Sequence, residues 1–246
     1  MKPLSRLAVI FCLAATGASP LPAQDRTHLY KTTMLQAAPG RLLELMDLVR
    51  RKIDEDIRAG EPEALWIRHS QGDRWDLLVL TPMGTYTECY SGDRPAKRRK
   101  AAEESGWTSQ SQFLIAHQED IFVFGPQPED LRAAFIIGGF FHVEMFAALP
   151  GQRRGLIRQR EMENTYLRHL HRPENFIFVR DQGAAWDVFT LGVYKDLKHY
   201  AASADIPQKE QDEAARVAGF TSASQIGPYL RQFIQLHHDT LAVLPR

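Results

Sequence analysis

The sequence predicts an α+β protein in which one βαββαβ unit occurs twice. Three observations carry this. The chain repeats itself: Pro39-Gly40 recurs 111 positions later as Pro150-Gly151, Gln71-Gly72 as Gln182-Gly183, and Trp75-Asp76 as Trp186-Asp187. Further on, Gly106-Trp107-Thr108-Ser109 matches Gly219-Phe220-Thr221-Ser222 at an offset of 113, and His117 aligns with His237 at 120. β-rich runs and amphipathic helical runs then follow one another in the same order in both halves. Finally, Gly125-Pro126-Gln127-Pro128 breaks the chain between them. The expected units are residues 24–126 and 127–246.

In the first unit, Tyr30 to Leu35 reads as a strand. Pro39 is expected in the first turn of a helix, where its missing N–H costs nothing. Leu42, Leu45, Met46, Val49, Ile53 and Ile57 then recur at steps of three and four, which gives that helix one apolar face. Gly60 and Pro62 end it. Leu65 to His69 and Trp75 to Leu80 read as strands around a Gln71-Gly72-Asp73 turn. A polar helical stretch spans about Glu88 to Ser105. A short amphipathic helix is expected to carry Phe113, Leu114 and His117, and Ile121 to Phe124 is the fourth strand.

The second unit repeats this order. Phe140 to Phe146 is a strand, and a helix starts at Pro150. Phe176 to Val179 and Trp186 to Leu191 form a hairpin, and two polar helical pieces meet near Pro207. A helix is expected to end at His237, before Leu241 to Leu244 closes the sheet.

The first residues read as an export signal. Lys2 and Arg6 precede an apolar run, Leu7 to Ala15, too short to span a bilayer. Ser19 to Ala23 supplies a small-residue, helix-breaking end, with cleavage expected after Ala23. Cys12 follows Val9-Ile10-Phe11 and so lacks the small residue that a lipoprotein site needs before its cysteine. The expected product is periplasmic or secreted, with no membrane span in the mature chain. Removing 23 of 246 residues leaves 223, with 28 basic and 30 acidic side chains. A nearly neutral chain lacks the surplus of Lys and Arg that nucleic-acid binding needs. Only Cys89 remains, which excludes an internal disulfide and a multi-cysteine metal or redox site.

The order βαββαβ is the ferredoxin-like split unit, an antiparallel sheet with both helices on one face. One unit leaves its other face bare, and two units can bury those faces together. The Pro-Gly steps, the Gln-Gly hairpins followed by Trp-Asp, and the extra helix before strand four resemble the dimeric α/β-barrel superfamily. That group includes antibiotic-biosynthesis monooxygenases, NIPSNAP-like proteins and, with both units in one chain, chlorite dismutases. The expected architecture is therefore two tandem ferredoxin-like units packed as an intrachain dimeric α/β barrel.

Several residues are candidates for chemistry. The helical reading puts His117 and His237 on buried helix faces. There an imidazole could ligate haem iron, bind a metal or move a proton, or simply bond a carbonyl at the helix end. Trp75 and Trp186 could line a lumen or pack beneath the helices while Asp76 and Asp187 accept hairpin N–H groups. The halves differ where Lys31, Thr33, Val49 and Ile53 correspond to His142, Glu144, Arg160 and Asn164. Convergence of His142, Glu144, Asn164 and His237 would make a polar pocket able to bind or deprotonate a small ligand. The alternative is a rotated second helix with these residues solvated. His169 and His171 have metal-like spacing but no carboxylate or cysteine cluster beside them, so no metal site is assigned.

The resemblance to haem-degrading members implies an asparagine, a tryptophan near the end of strand three and a histidine on the next helix. Here the tryptophans open strand three, Met83 and Tyr194 follow it, and only His199 matches, which puts haem degradation in doubt. A chlorite-dismutase-like site would hold haem through His237. Three functions remain open: binding of a small apolar ligand with cofactor-independent monooxygenase-type chemistry in the second half, haem-dependent chemistry through His237, and a non-catalytic interaction module with a filled barrel.

Overall fold

The computed structural model describes residues 26–245, so the expected export signal, residues 1–23, lies outside the described residues. The first unit runs β1 (His28–Ala37), α1 (Leu42–Arg58), β2 (Leu65–Gln71), β3 (Leu77–Gly84), α2 (Tyr86–Tyr90), α3 (Arg94–Glu104), α4 (Trp107–Leu114) and β4 (Ile115–Gly125). A linking helix that the sequence reading lacks, α5 (Pro128–Ile137), follows. The second unit runs β5 (Phe140–Ala148), α6 (Arg153–His169), β6 (Phe176–Gly183), β7 (Val188–Tyr194), α7 (Leu197–Ala201), α8 (Gln208–Val217), α9 (Ile226–Leu230) and β8 (Ile234–Val243). Among the described residues no helix is long and apolar enough to cross a membrane.

The eight strands close into one antiparallel barrel in the order β1-β3-β2-β8-β5-β7-β6-β4. Each unit contributes a four-stranded sheet. The seams are β2 with β8 and β4 with β6, so each unit's second strand pairs with the other unit's fourth. Closure leaves no sheet edge unpaired. The two bare sheet faces become one shared interior, filled by side chains including Tyr30, Met34, Phe141, Met145, Phe178 and Phe189.

Strand alternation sorts the layers. In β3, Leu78 and Leu80 enter the barrel while Leu77 and Val79 face α1, so the run is apolar throughout. Helix α1 covers that outer face with Leu45, Met46, Leu48, Val49 and Ile53. Ile57, expected on the same stripe, is exposed because it lies in the last turn, beyond the sheet.

Several expectations need correction. Pro39 and Pro150 do not start helices. Arg41 N donates to Ala38 O at 2.9 Å, and Gln152 N to Leu149 O at 2.9 Å. With Gly40 and Gly151 both at φ 75°, each Pro-Gly pair forms the centre of a type II turn, where proline fixes the first φ and glycine takes the positive one. Trp75 and Trp186 precede β3 and β7 and point into the barrel, not beneath the helices. Their neighbours Asp76 and Asp187 accept the N–H groups of Ala37 and Ala148 at 2.7 and 2.9 Å, locking each hairpin to the end of its unit's first strand.

The largest correction concerns the fourth strands. His117 and His237 lie on β4 and β8, not on helices. Thr33 faces Asp120 and Glu144 faces Asp239, so the structural offset there is 119 and His237 corresponds to Gln118. His117 is exposed and approaches Arg74 Nη2 at 3.2 Å. Phe113 is 68% exposed, because α4 buries Leu114 alone.

Candidate functional site

The registers of β5 and β8 put Glu144 opposite Asp239 and Phe146 opposite His237. Alternation turns His142, Glu144, Phe146, His237 and Asp239 toward the helix layer, while Val143, Met145 and His238 face the interior. His237 and His238 therefore point to opposite sides of the sheet. Helix α6 lies over the outer face. The rotated-helix reading fails: Arg160 is only 2% exposed, with Gln159 and Asn164 also buried against the sheet.

The site is a continuous run of polar groups. Arg160 Nη1 donates to Glu144 Oε2 at 3.0 Å, and Thr190 Oγ1 donates to the same oxygen at 2.9 Å. The other Glu144 oxygen lies 3.6 Å from His237 Nε2, which is 3.4 Å from Asp239 Oδ1. His142 Nε2 reaches that Asp239 oxygen at 3.0 Å. Behind Arg160, Gln159 accepts from Nε at 2.6 Å, and Glu163 accepts from Nη2. The guanidinium lies 4.7 Å over the Phe146 ring, whose plane also stacks on His237 at 4.7 Å. The run starts in the buried layer and ends at the surface, where Asp239 is exposed and Tyr200 packs 5.4 Å from His142.

These neighbours decide the charges. Burial pushes the Glu144 carboxyl up, but Arg160, His237, His142 and Thr190 outweigh it and hold the pKa at about 2. Burial also disfavours a charged His237, yet the carboxylates of Asp239 and Glu144 raise it to about 9. Burial and the two histidines oppose each other at Asp239, and the histidines hold it well below the usual carboxylate range. His142 is raised as well: burial opposes its charge, while Asp239 and Glu144 favour it. Near neutral pH His237 is an imidazolium between two carboxylates. It can donate a proton or stabilise a developing anion, and it is not poised to deprotonate a ligand.

Of the four expected site residues, His142, Glu144 and His237 converge, and Asn164 does not join them. Asn164 Nδ2 donates to Asn175 O at 2.8 Å, and its Oδ1 accepts from Asn175 N at 2.9 Å, pinning the approach to β6 onto α6. Asn164→Ala is expected to lower stability by about 1–3 kcal/mol, read by urea denaturation, with the His237 NMR titration unchanged. A shifted titration would return Asn164 to the cluster. The sequence reading missed Gln159, Glu163, Thr190 and Asp239 as partners. Asp239 was legible in principle: two residues after His237 on a strand means the same face. His169 and His171 are exposed, and His199 Nδ1 accepts the Lys195 N–H at 3.2 Å.

Two cofactor readings can be tested against this geometry. A haem ligand presents a neutral imidazole nitrogen to open space. His237 is cationic, aims Nε2 at two carboxylates and is covered on one face by Phe146, so it does not fit. Glu144, His237 and Asp239 bring one potential metal-ligand atom each within 4.8 Å of one another. Arg160 and the His237 imidazolium already supply the positive charge that this carboxylate pair requires.

The first half shows what the cluster replaced. There Lys31 Nζ pairs with Asp120 at 3.1 Å, Thr33 Oγ1 donates to Asp120 at 2.7 Å, and Gln118 Nε2 donates to it at 3.0 Å. Asp120 and Asp239 are equivalent, and the histidines, Glu144 and Arg160 belong to the second half alone.

No family model matches the chain, and no curated protein matches it in sequence. Solved structures do resemble it. An anthrone oxidase-like protein is 12% identical, with a TM-score of 0.57 over 91% of this chain and 93% of its own. A provisionally assigned monooxygenase from Fusobacterium nucleatum subsp. nucleatum ATCC 25586 is 8% identical, with a TM-score of 0.57 over 89% and 93%. Another from Lactobacillus acidophilus NCFM is 10% identical, with a TM-score of 0.51 over 88% and 93%. These likenesses show the fold alone, a dimeric α/β barrel.

Proposed function

We propose that the second half binds a small, largely apolar ligand at the mouth formed by His142, Asp239 and Tyr200, and acts on it by proton transfer. The observation that carries this is the close-spaced run of charged groups from His142 through Asp239, His237 and Glu144 to Arg160, with successive separations of 3.0, 3.4, 3.6 and 3.0 Å, the two His237 contacts being ion-pair contacts and not hydrogen bonds. Phe140, Tyr194 and Tyr200 supply apolar surface beside it, with ring centroids 5.1 to 5.5 Å apart. His142 and Asp239 touch the ligand. Glu144 and Arg160 are positioning residues that fix the His237 charge.

The fold neighbours named for monooxygenase and oxidase activity suggest the reaction class, cofactor-independent oxygenation. In such a reaction an activated CH2 group gives its four electrons to dioxygen. One oxygen becomes the product carbonyl and the other leaves as water. The chain's part is to stabilise with the histidine charge the substrate anion, whose proton leaves to solvent at the exposed mouth, and to donate a proton to the oxygen that departs as water. The imidazole then regains its proton from solvent. We propose the same protein to be exported, with its leader removed after Ala23.

Native mass spectrometry of the protein purified from its own host, with an absorbance spectrum, tests the reading. A bound small apolar compound is expected. Its affinity should fall on the order of 10-fold in His237→Ala and Glu144→Gln, which remove the charges that position His142 and Asp239 against it. Undiminished binding in both variants overturns the assignment. A second reading, a non-catalytic interaction module, is favoured by the filled barrel and by Ile136 and Ile137 of α5, which are 84% and 70% exposed. A bound ligand at the second-half mouth would decide against it.

A further inference from the structure

We infer that the first half carries a separate site for a small neutral apolar molecule bearing one hydroxyl donor, an alcohol or a phenol. Between β1, β3 and helices α1, α3 and α4 lies a cavity of about 300 Å³. That is the lower end of the range for small-molecule sites. It occupies the space that the charged cluster fills in the other half. Where α6 sends Arg160 and Asn164 toward its sheet, α1 sends Val49 and Ile53, and these wall the cavity with Val79 and Trp107. Loss of the long side chains leaves room, and Val49 and Ile53 make the α1 wall apolar.

Lys31, Lys52, Asp56, Glu61 and Arg98 give the cavity its polar side, and Asp56 alone of these has an unmet acceptor. One carboxylate oxygen, Oδ2, accepts from Lys52. The other, Oδ1, is buried without a hydrogen-bond partner. Burial pushes the Asp56 carboxyl up, with Lys52 opposing, as expected for a carboxylate removed from water and only half satisfied. Leaving such an acceptor unmet costs on the order of 1–3 kcal/mol, and a ligand O–H would meet it. The lining cations are already paired: Lys52 with Asp56, Lys31 with Asp120 at 3.1 Å, and Arg98 with Glu61 at 3.4 Å. An anionic ligand would find no free counter-charge among them. The complement is a neutral donor on an apolar body.

Isothermal titration of the full chain with 4-propylphenol and propylbenzene tests this. The phenol is expected to bind at least about 10-fold more tightly, the value of one hydrogen bond to a charged acceptor. Asp56→Leu should erase that preference. Val49→Phe should fill the cavity and abolish binding of both probes, which keeps the test decisive if Asp56→Leu does not fold. Glu144→Gln should leave phenol binding unchanged, separating this site from the second-half mouth. Equal affinity for the two probes, no binding of either, or a preference that survives Asp56→Leu overturns the inference. So does phenol binding that is lost in Glu144→Gln.

Discussion

Arg160→Met should destabilise the protein by about 3–5 kcal/mol, the cost of leaving a buried carboxylate without its partner. Arg160 is 2% exposed, and its guanidinium is the closest positive charge to Glu144, at 3.0 Å. Methionine fills similar space without the charge, so Glu144 must either stay ionised among Phe146, Thr190 and α6 or take up a proton. Urea denaturation at neutral pH reads the loss. A double variant, Arg160→Met with Glu144→Leu, should recover part of it, because position 144 no longer has a charge to bury while Glu163 still lacks its guanidinium partner. A single-variant loss below about 1 kcal/mol, typical of an exposed pair, would sink the account.

The same network sets a pH window. Glu144 is held at about 2, below its ordinary 4.5, so its contribution is whole above pH 4.5 and disappears as pH falls toward 2. His237 is raised to about 9 from 6.5, so its contribution is whole below pH 6.5 and disappears as pH rises through 9. Both are intact only between pH 4.5 and 6.5, and the melting temperature should peak there. In Arg160→Met the acid side of that peak should become shallower, since only His237, His142 and Thr190 then hold Glu144 low.

The second large effect is expected at the barrel seams. Gly72 and Gly183 have φ of 124° and 105°, where a side chain is strained in any surroundings. Each also lies against the other unit's fourth strand. A Cβ on Gly72 would fall 2.2 Å from the Asp239 carbonyl oxygen, and one on Gly183 would fall 2.6 Å from that of Asp120. Neither backbone can yield without opening its seam. Gly72→Ala and Gly183→Ala should each cost roughly 3 kcal/mol or more. Gly40 and Gly151 serve as controls: both have φ 75° but nothing within 4 Å of the added carbon, so alanine there should cost only about 1 kcal/mol. Equal losses at all four glycines would mean that the close approach across the seam contributes nothing.

What could be read from the sequence followed one rule. Elements buried on a regular face were legible, and elements defined by distant partners were not. The run Leu77 to Leu80 announced a strand because both of its faces are covered. The repeated Gln-Gly steps announced hairpins, although not that the glycines admit the other unit's backbone. The first halves of β4 and β8 were missed because Gln118, Asp120, His237 and Asp239 are polar residues facing polar partners on neighbouring elements. A strand that carries charges on one face and a histidine on the other has no apolar period, and the nearby apolar residues imposed a helical one. Arg160 was visible as a charge at a position where the first half is apolar. Its partners lie on β5 and α6 itself, and only the register of the sheet brings Glu144 under it.

The seams also bear on how the chain is made. As a nascent chain emerges, the sheet β4-β1-β3-β2 has an open edge on each side, because the partners β6 and β8 belong to residues not yet synthesised. The β2 edge waits longest, since it is closed by Ile234–Val243, the last strand made. During that interval a neighbouring polypeptide's β8 fits the vacancy as well as the chain's own. Two chains that exchange this strand would form an interlocked pair with every native hydrogen bond intact, so crowded ribosomes should favour strand-swapped assemblies over simple aggregates.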